Sequence, residues 1–256
     1  MRLRDDWPLA VILLAFLILG TIYSVVNPLF EAPDEVWHYE YVRWLVEGHG
    51  LPRPEQVGNA PWHQEGSQPP LYYMLAALVT YPIPTDNAAE VIRYNPHAAM
   101  GRADAFGNKN VIVHGRADAW PWRGVALAAH MVRFLSLLMG AATVLCTYGT
   151  ARTIFPGQRT IAAAAAALVA FNPQFLFLSA AVNNDNLVIA CSAAGIWLLV
   201  RLLAQEKPRR YQLVLLGVLL GVAALSKLNG LLLFVPTGLT LSLIAWRRRS
   251  FGDLIR

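Results

Sequence analysis

Six long apolar runs constrain this chain more than any other feature of its sequence. Each is close to the ~20 residues that a helix needs to cross the hydrocarbon core of a bilayer, although the fifth is short. The runs cover residues 8–26, 125–150, 161–181, 187–203, 211–225 and 228–246. Charged residues make up only 14% of the 256 residues, whereas soluble domains carry about a quarter. The sequence therefore predicts an all-α polytopic membrane protein with about six transmembrane helices.

The first run has the position of a secretory signal peptide. Its apolar stretch is longer than the core of an ordinary signal peptide, and no typical cleavage site with small residues precedes Pro28. We therefore expect an uncleaved transmembrane helix.

Basic residues between the runs set the predicted orientation. They cluster in three short loops, at 152–159, 201–210 and 247–249, and Lys227 is the one basic residue in the opposite short loops. By the positive-inside rule both ends of the chain are cytoplasmic, and residues 27–124 and 179–186 lie outside. The net charge of +5 thus reflects membrane topology, and no nucleic-acid partner is expected.

The outer segment 27–124 divides into two parts of different composition. Residues 34–47 combine Trp and Tyr with charged side chains, a pattern typical of an amphipathic helix in the membrane interface. Residues 83–124 are rich in Gly, Pro and Asn and are predicted to form an irregular loop.

Two adjacent carboxylates, Asp34 and Glu35, follow the first apolar run. If Pro33 is the first residue of a helix, both acids lie in its first turn, where the helix dipole stabilises each by ~0.3–1 kcal/mol. At helical spacing Asp34 also shares a stripe with His38 and Tyr41. A partly desolvated carboxylate there could act as a general base, so a structural and a catalytic interpretation both stand.

A second candidate is the stretch "WHQEGSQPPLYY". Pro69 and Pro70 stiffen the approach to a helix that is predicted to begin near Leu71. This arrangement would hold polar side chains beside the outer membrane surface. They are Glu65, Gln68 and Tyr72.

The same region contains the candidate metal ligands. His63 and Glu65 could join Asp34, Glu35 or His38 in a site for a divalent metal cation. No compact ligand motif is present, and scattered His and Glu residues in a loop are more often solvated.

Further candidates lie at or near the outer ends of later runs. Asn184 or Asp185 could cap a helix, and Asp185 could also join the outer site. Lys227 could extend to the lipid headgroups or neutralise a lipid phosphate. Arg133 falls inside the second run, where arginines tend to be functional. The dipeptide Asn172-Pro173 should kink or break the third run.

Four stretches together resemble a known family. They are "EAPDEVWHYEYV" (31–42), "EGSQPPLYYMLAAL" (65–78), "VNNDNL" (182–187) and "GVAALSK" (221–227). Their order and alternating sides are similar to those of polyprenyl-phosphate-dependent glycosyltransferases of the GT-C fold. The closest branch is the family 39-like group of protein mannosyltransferases, aminoarabinose transferases and rhizobial lipopolysaccharide transferases.

The resemblance implies an integral inner-membrane glycosyltransferase of the cell envelope. Such enzymes take a sugar from a polyprenyl-phosphate donor and transfer it, with inversion, to a lipid, glycan or protein acceptor at the extracytoplasmic face. Asp34 would be the base that deprotonates the acceptor, and Glu35 would support it or help to bind a cation. The implied substrate-binding residues are His38, Glu65, Gln68, Tyr72, Arg133, Asp185 and Lys227, of which Arg133 and Lys227 would contact the donor phosphate.

The chain also departs from the family pattern. Members usually have around ten or more spans, so we expect further spans after Arg256, and residues 83–124 form a larger loop than the fold requires. The alternative to an enzyme is a non-catalytic membrane protein that binds or transports lipid-linked sugar. The two hypotheses differ in whether the carboxylate of Asp34 is needed for turnover.

Overall fold

A computed structural model describes residues 6–56, 60–99, 104, 106, 109–205 and 208–248 of the chain. Lys207 and Arg249, which belong to the predicted basic clusters, lie outside the described residues. Within those residues the regular structure is helical, and one isolated bridge joins Tyr94 and Ile112. The α-helices are α1 (Trp7–Val26), α2 (Glu35–Val46), α3 (Leu71–Thr80), α4 (Ala88–Val91), α5 (Gly124–Ile154), α6 (Arg159–Ala170), α7 (Pro173–Ser179), α8 (Asp185–Leu203), α9 (Arg210–Ser226) and α10 (Phe234–Arg248). Short 3-10 helices cover Pro54–Gln56, His63–Ser67 and Leu228–Leu233.

Several of these helices are long and apolar enough to cross a membrane. By length and composition they are α1, α5, α8 and the segment Leu228–Arg247, and the bent pair α6–α7 makes a fifth if it is one span. The helix α9, at the fifth predicted span, is apolar but has only 17 residues. The chain is thus an all-α polytopic membrane protein, as its apolar runs predict.

The third apolar run is broken at Asn172-Pro173, which confirms the predicted interruption. Helix α6 ends at Ala170, α7 begins at Pro173, and their axes differ by 64°. Proline lacks a backbone N–H group and its ring clashes with the preceding turn, so α6 cannot continue through it. The Asn172 side-chain oxygen then accepts hydrogen bonds from the backbone N–H groups of Gln174 and Phe175, which caps the new helix.

The chain divides into two compact units. The first, here called the loop unit, comprises Ile18–Leu138 and Leu176–Asn184. The second, the span unit, comprises Met1–Leu17, Met139–Phe175 and Asp185–Arg256.

Aromatic side chains form the core of the loop unit. Helix α2 packs against α3 and the 3-10 helix His63–Ser67. The Tyr41 and Tyr73 rings stack with their centroids 4.0 Å apart, and Trp62 and Tyr72 are fully buried. Since seven of the twelve residues of α2 are buried, its aromatic side chains pack largely against protein. The exposed apolar face that would suit a membrane interface lies on α3, where Leu78 is 74% exposed and Met74 is also exposed.

The start of α2 differs from the sequence-based expectation. The helix begins at Glu35, and Asp34 is its N-cap with φ 59°, so Pro33 precedes the helix rather than opening it. The left-handed backbone at Asp34 prevents the helix from extending back to Pro33, because helical residues need negative φ. Asp34 and Glu35 therefore occupy different local environments instead of sharing a first turn.

Part of the loop 83–124 is fastened to the segment that precedes α2. The Glu31 carboxylate accepts hydrogen bonds from the N–H groups of Val111 and Ile112, at 2.8 and 3.0 Å. It also pairs with His114 Nε2 at 2.9 Å, while His114 Nδ1 contacts Asp118 at 2.6 Å. These contacts order a loop that was predicted only to be irregular.

Small residues allow close packing in the span unit. A Cβ atom added at Gly230 would lie 2.2 Å from the backbone oxygen of Ala223 in α9, which cannot move without distorting the helix. Close approach at small residues is typical of helices packed within membranes.

We expect Gly230→Ala to destabilise the protein by about 1–3 kcal/mol, the usual cost of overpacking. Thermal unfolding in detergent would measure the effect. Gly217→Ala is the matched control, since no atom lies within 4 Å of its added Cβ and alanine favours a helix by up to about 1 kcal/mol. Equal melting temperatures for the two variants would contradict the close contact.

Candidate functional site

The turn between α1 and α2 has an unusual backbone. Phe30 and Asp34 both have left-handed conformations, with φ 67° and 59°. Such a conformation is uncommon outside glycine and is a genuine outlier for a bulky residue such as Phe. The buried Phe30 ring packs against Tyr39, with the ring centroids 5.2 Å apart. Surrounding contacts must therefore hold this turn in place.

Glu35 supplies the central contact. Its side chain is fully buried, and each carboxylate oxygen accepts two hydrogen bonds. Oε1 accepts from Arg133 Nε at 2.7 Å and from the Val182 N–H at 2.9 Å. Oε2 accepts from Arg133 Nη2 at 2.6 Å and from the Phe30 N–H at 2.9 Å. One carboxylate thus connects the turn before α2 with α5 and with the turn that precedes α8.

Arg133 completes this buried pair. Its guanidinium is 1% exposed and donates through all five N–H groups. Besides the two bonds to Glu35, it donates to the backbone carbonyls of Ser24, Asn27 and Pro28, at 2.7, 2.8 and 3.0 Å. A buried ion pair is tolerated when its remaining polar atoms are satisfied, as they are here.

These contacts revise the roles suggested for both residues. Neither Arg133 nor Glu35 keeps a hydrogen-bonding position for a substrate, because five donors and four acceptor positions are already filled by protein. Arg133 therefore does not offer a free N–H group to a donor phosphate, and Glu35 does not offer an oxygen to a cation or a proton. In this structure both hold the turn that carries Asp34.

Asp34 itself is exposed at the N-terminal end of α2. Its backbone carbonyl accepts hydrogen bonds from Trp37 and His38, whereas its carboxylate does not cap the helix. The backbone of Asp34 is therefore fixed by the helix, while its carboxylate makes no capping hydrogen bond. This arrangement leaves it able to accept a proton from a bound hydroxyl group.

The Pro-Pro motif meets the turn 182–184 within the loop unit. The Tyr72 hydroxyl lies 2.8 Å from Ser136 Oγ and accepts a hydrogen bond from the Asn183 N–H at 3.0 Å. The Asn184 side-chain amide donates to Gln68 at 3.4 Å. Burial raises the pKa of Tyr72, so the phenol stays protonated and can donate. Two sequence motifs that lie more than a hundred residues apart are thus joined.

His38 and Glu65 form a separate buried contact. His38 Nδ1 lies 2.8 Å from the Tyr73 hydroxyl and 3.2 Å from Glu65 Oε2. Both residues are buried, so they pack inside the loop unit instead of lining an open surface. His63 is exposed, and its ring lies 5.1 Å from that of Trp37.

The candidate metal ligands do not come together. Over the part of the chain that the structure describes, no group of three or more His, Cys, Asp or Glu side chains could hold a metal ion. Glu35 is saturated by its partners, Glu65 faces His38, and His63 packs on an aromatic ring. These three residues therefore do not form the site that the sequence suggested.

Asp185 and Lys227 belong to the span unit and pair with each other. Lys227 lies between α9 and the 3-10 helix that follows, and its Nζ donates to Asp185 Oδ1 at 2.7 Å. Asp185 begins α8, and both side chains are partly exposed. The lysine is thus not an isolated charge, although an ammonium group has two further N–H donors.

Some participants were not recognised in the sequence. Ser136 lies one helical turn after Arg133 on α5, a spacing that could have indicated a shared face. The backbone N–H groups of Val182 and Asn183 have no signature in the sequence, since every residue other than proline carries one.

Comparisons with known proteins match part of the chain. A family model described as dolichyl-phosphate-mannose-protein mannosyltransferase matches residues 125–255, which is just over half of the sequence. The matched segment contains Arg133, Asp185 and Lys227, whereas Asp34 and Glu35 precede it. Searches of curated proteins and of solved structures found no match.

Proposed function

Because this chain belongs to the dolichyl-phosphate-mannose-protein mannosyltransferase family, we propose that it transfers a sugar from a polyprenyl-phosphate donor to a lipid, glycan or protein acceptor. Membership of the family implies a membrane glycosyltransferase in general. The proposal adds the extracytoplasmic face as the place of reaction and inversion as its stereochemical course.

One observation carries the proposal. Asp34 presents an exposed carboxylate from a left-handed N-cap that a saturated, buried ion pair holds in position. Catalytic groups need to be held within a fraction of an ångström of a productive position, and strained backbone is common where this is achieved. A turn needed only to connect two helices would not require a bulky residue such as Phe30 at positive φ.

The proposed reaction is a single displacement at the anomeric carbon. The acceptor hydroxyl attacks the anomeric carbon on the face opposite the phosphate, and Asp34 takes the hydroxyl proton. The bond between that carbon and the phosphate oxygen breaks, so the polyprenyl phosphate leaves with the bonding electron pair. One displacement inverts the configuration, and Asp34 then returns its proton to solvent.

Other residues would hold the reactants. Lys227 remains the proposed contact for the donor phosphate, because its partly exposed ammonium can donate to a phosphate while it pairs with Asp185. Glu35 and Arg133 are proposed as positioning residues for Asp34. The predicted orientation, with residues 27–124 outside, would place Asp34 at the extracytoplasmic face, as this function requires.

The experiment is reconstitution of the full-length protein in vesicles with a panel of polyprenyl-phosphate sugars and an envelope lipid extract as acceptor source. We expect release of free polyprenyl phosphate from at least one donor, and the release should depend on the extract. A protein that binds these donors but releases polyprenyl phosphate from none of them would be a carrier or binding protein, which contradicts the proposal.

A further inference from the structure

A cavity of about 800 Å³ lies in the loop unit, away from the turn that carries Asp34. Its walls come from α2, from residues 60–63 and from residues 85–94. Its volume falls within the range of about 300–1,000 Å³ that is usual for small-molecule sites. The site described above uses none of the side chains on the α2 wall.

The lining of this cavity is acidic in a basic protein. Glu40, Glu47 and Asp86 contribute three carboxylates and Arg43 one guanidinium, a formal charge of −2 with His63 neutral. The whole chain has a formal charge of +5. Arg43 pairs with both Glu40 and Glu47, and the net negative charge that remains on the cavity wall favours a cation.

Glu40 provides an independent indication of a ligand. Its side chain is 5% exposed, and both hydrogen bonds from Arg43, at 3.0 and 2.7 Å, end on Oε2. Among the described residues, no group donates to Oε1. Burial raises the pKa of Glu40, which means that its charged form lacks part of its hydration. Oε1 of this largely buried carboxylate can therefore accept a hydrogen bond from a ligand in the cavity.

The cavity lies farther along α2 than Asp34 does. Glu40 follows Asp34 by six residues, which is a rise of about 9 Å along the helix axis. Asp34 is the left-handed N-cap and lies outside the helix, and none of residues 27–35 lines the cavity. A single sugar ring is shorter than this separation and cannot occupy the cavity and reach Asp34 at once, whereas a chain of several units can.

We propose that this cavity binds the protonated amine of a chain-like acceptor, at a position distant from the hydroxyl that reacts. The role as an acceptor subsite rests on the proposed transferase function, whereas binding of an amine does not. Hydroxyl groups beside the amine would donate to Glu47 and Asp86, which border the cavity next to Arg43.

Glucosamine and glucose are matched probes, because they differ only in an amine at one ring position. The full chain in nanodiscs of phosphatidylcholine and phosphatidylglycerol, which contain no amine headgroup with an open N–H, would be titrated with each by ligand-observed NMR. We expect glucosamine to bind at least about tenfold more tightly than glucose, which corresponds to about 1.4 kcal/mol. The affinity for glucosamine should fall as salt is added. Equal binding of the two sugars would overturn the proposal.

Variants test the location of the site. Glu40→Gln and Asp86→Asn should each weaken glucosamine binding severalfold, and Asp86 is exposed, so its change should not affect folding. Glu90→Gln removes another exposed carboxylate of the loop unit that does not line the cavity, and it should change nothing. Unchanged binding in Asp86→Asn and in folded Glu40→Gln would show that glucosamine binds elsewhere.

The source of the amine and the link to transfer are separable in the same assay. If phosphatidylethanolamine added to the nanodiscs competes with glucosamine, the amine belongs to a lipid acceptor. If it does not compete, the amine belongs to a soluble glycan or peptide. Asp34→Asn should bind glucosamine as the wild type does. Glucosamine binding without turnover on any donor would contradict the transferase function and support the amine site. Turnover without a preference for glucosamine would contradict the amine site and support the transferase function.

Discussion

Replacing Asp34 by asparagine is expected to lower sugar transfer by about 10²–10⁴-fold, the usual contribution of a general base. The melting temperature and donor binding should not change. Asparagine is as good an N-cap as aspartate and tolerates the left-handed backbone, so the change removes the proton acceptor without disturbing the turn. Release of polyprenyl phosphate from reconstituted vesicles at saturating donor would measure the effect.

Glu90→Gln is the control for this substitution, since it neutralises an exposed carboxylate in the same unit. It should transfer sugar at the wild-type rate. If Asp34→Asn kept more than about a tenth of wild-type turnover, the loss would be smaller than removal of a general base causes. Asp34 would then not be the group that deprotonates the acceptor.

The second large effect concerns stability. Replacing Arg133 by leucine is expected to cost about 3–5 kcal/mol, because it leaves the fully buried Glu35 without its cation. Three backbone carbonyls at the end of α1 also lose their donor. For a chain of this size the loss corresponds to a fall of at least about 6 °C in melting temperature, which thermal unfolding in detergent would measure.

A double variant separates the ion pair from general damage. Glu35→Leu combined with Arg133→Leu should be more stable than the sum of the two single changes predicts, because no buried charge is left unpaired. Arg116→Gln removes an exposed arginine of the same unit and should not alter melting. Additive losses in the double variant would mean that the two side chains do not stabilise each other.

The positions of the helices could largely be predicted from the sequence. Apolar runs indicate where membrane-crossing helices can lie, because the polar backbone groups of a segment in a bilayer must hydrogen-bond to one another, as they do in a helix. Pro173 fixes the break between α6 and α7, and the helix after Pro69-Pro70 begins at Leu71 as expected. These features depend on local chemistry, which the sequence displays directly.

The division of roles between Asp34 and Glu35 could not be predicted. Two adjacent acids look equivalent in a sequence, yet one is fully buried and the other exposed. The difference comes from a left-handed residue between a turn and a helix, and from an arginine 98 residues away. Neither backbone handedness at a non-glycine residue nor a distant charge partner can be read from local pattern.

The partners of charged side chains could not be predicted from the sequence for the same reason. The sequence presents Arg133 and Lys227 as single cations available to a phosphate. In the structure Arg133 is saturated by Glu35 and backbone carbonyls, and Lys227 pairs with Asp185. His38 and Glu65, expected at an open site, are buried against each other. Spacing along a helix indicates which side chains share a face, but long-range partners depend on tertiary packing.

The most direct test of the account compares two isosteric variants, Asp34→Asn and Glu35→Gln, by their turnover per folded molecule at one temperature below both melting points. We expect Asp34→Asn to melt like the wild type but to be nearly inactive. We expect Glu35→Gln to melt at a lower temperature while its folded molecules keep most of their turnover, since Glu35 positions the turn and Asp34 accepts the proton. The reverse result, with an active Asp34→Asn and an inactive, stable Glu35→Gln, would contradict the account.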